Sequence, residues 1–120
     1  MLRMMSLAAA AMVLAGSAAA DAHALLQKAF PPVGGTVATP PAELWLRFSE
    51  AVEPAFCTVT VRDAAGADFV AGRPHTAPDN GRQLVVGLKR LPPGDYAVAW
   101  HATSVDTHKT EGTYHFAVAP

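Results

Sequence analysis

Cysteine is nearly absent from this 120-residue chain: Cys57 stands alone. One cysteine cannot close a disulfide within the fold, even in a compartment that would permit one. Methionine is confined to Met1, Met4, Met5 and Met12, so the chain beyond residue 12 offers no thioether to a soft monovalent metal. The apolar stretch Leu7 to Ala15 falls well short of the ~20 residues that a membrane-spanning helix needs. Neither sign of charge dominates, with nine Lys and Arg against ten Asp and Glu. A balance so close to zero, without a basic patch or a polybasic run, points away from nucleic acid and from a membrane surface. Helical periodicity long enough to carry a helix assignment is missing as well.

What is present begins with a leader. Arg3 supplies a positive start, Leu7 to Ala15 an apolar centre, and Ala20-Asp21-Ala22 an A-x-A cleavage signal. The alternative cut follows Ala18-Ala19-Ala20, and an uncleaved anchor is the reading the short apolar run disfavours. The expected domain layout is therefore a secretory signal peptide at 1–22 and one small domain at 23–120, exported without a membrane anchor. Cleavage after Ala22 makes His23 the N-terminal residue. A terminal His presents its α-amine and a ring nitrogen to one ion as a chelate. The amine has a reference pKa of about 7.7–8.0, so a metal displaces its proton readily near neutral pH.

The remainder reads as short strands divided by turns. Leu44, Leu46 and Phe48 alternate with Glu43, Trp45 and Arg47; Tyr96, Val98 and Trp100, then Tyr114, Phe116 and Val118, repeat the pattern. Further strands are expected at Ala24 to Phe30, 56–62, Ala67 to Ala71 and Arg82 to Leu88. Turns are expected at Pro31-Pro32-Val33-Gly34-Gly35, Thr39-Pro40-Pro41, Arg62 to Gly66 and Leu91 to Asp95, and a loop at Gly72 to Gly81. About seven strands without helices predict an all-β, antiparallel Greek-key sandwich or barrel. Trp45 sits on the nominally polar side of its strand, where it covers an edge, lines a site or is simply half-buried.

Candidate ligands are few. Asp106 and His108 lie two apart in a Ser/Thr-rich link between the last two strands, so an extended link turns both to one side. Two ligands bind weakly, and His23 is the expected source of more. His101 and His115 share the outer face of the final hairpin, either as a surface metal pair or, as expected, as solvated side chains. His75 is an isolated surface imidazole. Cys57 is a soft copper ligand or redox thiol on one reading and a small buried hydrophobe on the other, which is preferred.

In order along the chain stand His23, Phe30-Pro31 with Gly34, Leu46-Arg47-Phe48-Ser49-Glu50, Leu91-Pro92-Pro93-Gly94-Asp95-Tyr96, Val98-Ala99-Trp100, Ser104-x-Asp106-x-His108 and Gly112-Thr113-Tyr114-x-Phe116. With this set the chain resembles the CopC family of periplasmic copper-binding proteins over almost all of residues 23–120. The resemblance implies a cupredoxin-like or immunoglobulin-like sandwich holding one Cu(II). Its implied ligands are the amine and ring of His23, the Asp106 carboxylate and the His108 ring. Glu50 matches a family glutamate that either binds the metal or orients an imidazole, the second role being preferred. Family members that also bind Cu(I) use a Met-rich loop, which this chain lacks, and Lys109 replaces the usual proline after the site histidine. The implied function is a non-enzymatic copper carrier or buffer in copper homeostasis and resistance, expected as a monomer, with an inner-membrane CopD-like transport protein as partner.

The donor chemistry agrees, because imidazole, amine and carboxylate suit tetragonal Cu(II), which stands at the top of the divalent affinity order. Two rivals are a histidine-brace copper monooxygenase and a structural sandwich whose histidines are incidental. A carboxylate at Asp106 would occupy a copper position that an oxygen-activating site leaves open.

Overall fold

A computed structural model provides the structure of the chain and describes residues 24–120. The expected leader, its cleavage point and His23 lie outside the described residues. Eight strands run in chain order: β1 (Leu26–Phe30), β2 (Thr36–Val37), β3 (Glu43–Phe48), β4 (Thr58–Arg62), β5 (Val70–Ala77), β6 (Asn80–Leu88), β7 (Gly94–Thr103) and β8 (Lys109–Val118). They form two four-stranded sheets, β1-β3-β6-β5 and β2-β8-β7-β4. All pairings are antiparallel except the two-residue β2, which runs parallel to β8. Only β5–β6 and β7–β8 are hairpins within a sheet; every other connection crosses from one sheet to the other.

The alternation in sequence is what closes the sandwich. Leu44, Leu46 and Phe48 of β3 are fully buried and meet Val98, Trp100, Tyr114, Phe116, Val59 and Val61 of the opposing sheet. Each such side chain contributes about 1.5–3 kcal/mol on leaving water. Phe48 and Trp100 meet edge to face with centroids 5.1 Å apart, a geometry that adds about 0.5–1.5 kcal/mol. Gly112 lies opposite Trp100 across β7–β8. A Cβ there would stand 2.6 Å from the indole Cζ2, so this strand position is open only to glycine. Trp45 is half-buried on the outer face of the first sheet, stacked beside Phe30 at 6.4 Å and covered by the Arg47 guanidinium at 5.0 Å.

One expectation fails. Gly72 to Gly81 is not a loop: β5 continues to Ala77, Pro78-Asp79 forms a two-residue turn, and β6 starts at Asn80. The Pro, Gly and Asn cluster that signals a loop is compatible with a strand here because β5 is a sheet edge, where a missing N–H costs no ladder bond. Gly72, with φ of 84°, lies where the register shifts between Ala71 and His75, as at a bulge.

One end of the sandwich is built from non-local pieces. The Ser104 end of β7 bridges to Val52, Val105 N–H donates to Ala51 O (3.1 Å) and Glu53 N–H to Thr103 O (2.8 Å). Val52 N–H donates to Gly81 O at the β5–β6 tip (3.0 Å). The segment after β3 is thereby clamped between the two hairpin tips.

Candidate metal centre

The tip of β7–β8 is a tight turn. Thr107 N–H donates to Ser104 O (2.8 Å) and Ser104 N–H to His108 O (2.9 Å). Thr107 takes φ of 73°, a left-handed conformation that is costly for a β-branched residue, by about 1–3 kcal/mol. That reversal lets Asp106 and His108, on either side of it, converge: Asp106 Oδ2 stands 3.4 Å from His108 Nδ1. Both side chains are about half exposed, at 50% and 46%, so an ion can reach them from solvent.

Ser104 is buried beneath the pair, and its hydroxyl donates to Asp106 Oδ1. This hydrogen bond is the main reason that the Asp106 carboxyl is held below the usual carboxylate range; partial desolvation opposes it and the charge of His108 reinforces it. The result is an oxygen donor that stays charged through the neutral range, with one oxygen pinned and the other, Oδ2, turned to the imidazole.

The chain arrives at this pair from its N-terminal side. Ala24 is fully buried, and its carbonyl accepts a hydrogen bond from Thr110 Oγ1 (2.7 Å), two residues beyond His108. Leu25 N–H donates to Ser49 Oγ (2.9 Å), and Ser49 N–H returns a bond to Leu25 O (2.8 Å). Residues 24 and 25 are therefore stitched between the end of β3 and the start of β8. Glu50 follows Ser49 and precedes Ala51, half-buried at the same end. Among the described residues no three His, Cys, Asp or Glu side chains are arranged to hold a metal ion, so Glu50 does not complete a trio with Asp106 and His108.

The other candidates separate from this centre. Cys57 is buried in the core; its thiol donates to Glu53 O (3.2 Å), and desolvation raises its pKa, as for a small hydrophobe. His75 is exposed on β5, with Nδ1 3.5 Å from Arg73 O. His101 and His115 do not pair: the register sets His101 opposite Glu111 and His115 opposite Ala97. Four residues of strand separate them, roughly 13 Å, so the surface histidine pair is excluded. The anchoring roles of Ser49, Ser104 and Thr110 are not apparent from spacing. Only Ser104, two residues before an aspartate, carries a local signal.

A nitrogen and an oxygen held by one divalent transition-metal ion at about 2.0–2.1 Å lie about 2.8–3.4 Å apart, from a right angle to a tetrahedral one. The Asp106–His108 separation sits at the upper edge of that range. A model of the CopC domain matches residues 26–119. The chain belongs to the CopC family. This CopC domain is 36% identical over 98 residues to Protein YobA of Escherichia coli K12, covering 81% of the chain and 79% of the relative. It is similar to the crystal structure of CopC from Methylosinus trichosporium OB3b, with a TM-score of 0.76 at 34% identity, covering 82% and 95% of the two chains. Against PcoC, described as a methionine-rich copper resistance protein from Escherichia coli, the TM-score is 0.69 at 29% identity, covering 80% and 98%. None of the three is named for a catalysed reaction. The methionine-rich character of PcoC has no counterpart here, where no methionine follows Met12.

Proposed function

We propose that this chain is an exported copper carrier or buffer in copper homeostasis and resistance. On this reading one Cu(II) is held by the amine and ring of a mature N-terminal His23, by Asp106 and by His108, with Glu50 orienting an imidazole. The observation that carries the proposal is the anchoring of Ala24 by Thr110, two residues from His108. Residue 23 is bonded directly to Ala24, with Cα atoms about 3.8 Å apart across a trans peptide, and the anchoring of Ala24 two residues from His108 supports a ligand role for the residue before it.

The donors suit the ion. Two imidazoles, an amine and a carboxylate favour Cu(II) over softer monovalent copper, and the methionine-free domain supports the same preference. The Asp106 carboxylate offsets part of the ionic charge, and Ser104 keeps that carboxylate turned toward the imidazole. Half exposure of both side chains suits a cargo that must be released as well as held. Among the described residues no helix is long and apolar enough to cross a membrane. The leader supports a periplasmic location, and the family supports handover to an inner-membrane CopD-like transport protein by a monomeric carrier.

The test is the intact mass of the exported protein, measured native with Cu(II) and again after denaturation. The expected result is a chain starting at His23 that retains one copper in the native spectrum and loses it when one residue is added before His23. A mature chain starting elsewhere, or one that takes up no copper, overturns the proposal.

A further inference from the structure

We propose that His101 and Glu111 form a second, weaker site for a divalent transition-metal cation on the outer face of the β7–β8 hairpin. It stands on its own geometry and does not require the His23 site. The register places His101 between Glu111 on β8 and Thr58 on β4. Its Nε2 lies 3.2 Å from Glu111 Oε1, and its Nδ1 lies 3.5 Å from Thr58 Oγ1. A threonine hydroxyl both donates and accepts, so it serves Nδ1 in either tautomer. When Nδ1 carries the proton, Nε2 offers a lone pair beside the Glu111 carboxylate oxygen 3.2 Å away, and a cation taken up between them replaces the proton that otherwise joins the two. Their 3.2 Å separation falls inside the about 2.8–3.4 Å expected of neighbouring nitrogen and oxygen ligands on one ion.

The surroundings fit a loosely held, hydrated ion. The pair borders an open groove of about 260 Å³ lined also by Phe56, Lys109 and Thr110, which leaves the remaining coordination positions to water. With only two protein donors, and with the cationic Lys109 lining the same groove, this is the weaker site. Glu111 is the third residue of β8, which starts directly after His108, so an ion captured here is held close to the hairpin tip.

Zn(II), a diamagnetic probe of this ligand class, is titrated into the purified protein while the ring resonances of His101 and His108 are followed separately by NMR. The expected result is a His101 shift that develops at higher zinc than the His108 shift. In Glu111→Gln it requires at least ten-fold more zinc, and in Lys109→Gln it requires less. A His101 resonance that stays still up to millimolar zinc, or that moves identically in wild type and Glu111→Gln, overturns the site. A His108 resonance that never moves while His101 does supports this site and counts against the His23-centred reading instead.

Discussion

The β7–β8 hairpin carries two imidazole–carboxylate pairs of nearly equal spacing, His108 with Asp106 at 3.4 Å and His101 with Glu111 at 3.2 Å. Distance does not distinguish them; what stands behind them does. Asp106 is oriented by the buried Ser104, its turn is fixed by two backbone hydrogen bonds, and the chain beside it is tied down at Ala24. His101 and Glu111 project from a flat sheet face, are 65% and 75% exposed, and share a groove with Lys109. A tighter site differs from a weaker one in how many atoms orient its donors.

The direct way to break this comparison is to remove one imidazole at a time. His108→Ala is expected to lower the affinity for the first Cu(II) by more than about 100-fold, beyond the ~10–100-fold typical of losing an outer partner of a ligand. His101→Ala is expected to leave that affinity within about two-fold, since its ring belongs to the other pair. Calorimetric titration of both variants decides it. Equal losses would mean that the two pairs act as one site and that the contrast between them is false.

The next largest effect belongs to Ser104. Ser104→Ala removes the hydrogen bond that orients Asp106, and copper affinity should fall by roughly ten-fold. Its pH behaviour separates orientation from packing. The Asp106 pKa is lowered in the fold, so its ionisation favours the native state above the unfolded-state value, and that contribution is lost as pH falls through the lowered value. In the wild type Asp106 remains charged from pH 7.5 to pH 5, so on the proposed ligand set any loss of copper across that interval is expected from proton competition at the nitrogen ligands. Without Ser104 the carboxyl titrates nearer the ordinary range, so copper titrations below pH 5 should show an additional loss in the variant. Parallel pH curves would assign Ser104 a packing role only.

These two pairs also mark how far the sequence could be read. The sandwich was legible because Leu44, Leu46, Phe48, Tyr96, Val98, Trp100, Tyr114, Phe116 and Val118 alternate, and burial on one face requires that alternation. The nearness of Asp106 and His108 was legible from their spacing, but its cause was not: the link is a tight turn with Thr107 at φ of 73°, not the extended segment that the spacing argument assumed. The β5 strand was hidden because Gly72 and Pro74 carry turn chemistry that an edge strand tolerates. The separation of His101 from His115 was hidden because register is a property of two strands together. The bonds from Thr110 to Ala24 and from Leu25 to Ser49 span 86 and 24 residues, and no local pattern encodes such contacts.

Thr110 tests whether the anchored N-terminal segment is what sets the tip pair apart. Thr110→Val keeps the shape of a half-buried strand residue but leaves the Ala24 carbonyl without its donor. The expected cost is about 1 kcal/mol of stability, read by chemical denaturation. Copper affinity should fall several-fold as the start of the chain loosens. Lost stability with unchanged affinity would show that the segment needs no anchor to serve the pair, and the comparison would then rest on Ser104 alone.

The smallest expected effect is the most discriminating, because its two readouts move in opposite directions. Thr107 holds a β-branched side chain at φ of 73°, a conformation that glycine adopts freely and asparagine tolerates. Thr107→Gly removes that strain but adds chain entropy to the unfolded state, so stability should rise by no more than about 1 kcal/mol. The same freedom lets the turn sample conformations in which Asp106 and His108 diverge, so copper affinity should fall about two- to three-fold. Thr107→Asn relieves the side-chain crowding while retaining a restricted backbone, and should raise stability with affinity unchanged. If Gly and Asn behave alike in both readouts, the left-handed turn serves only to reverse the chain. If only Gly loosens copper, the strained backbone at Thr107 is part of what holds the two donors on one ion, a constraint that the flat face carrying His101 and Glu111 does not have.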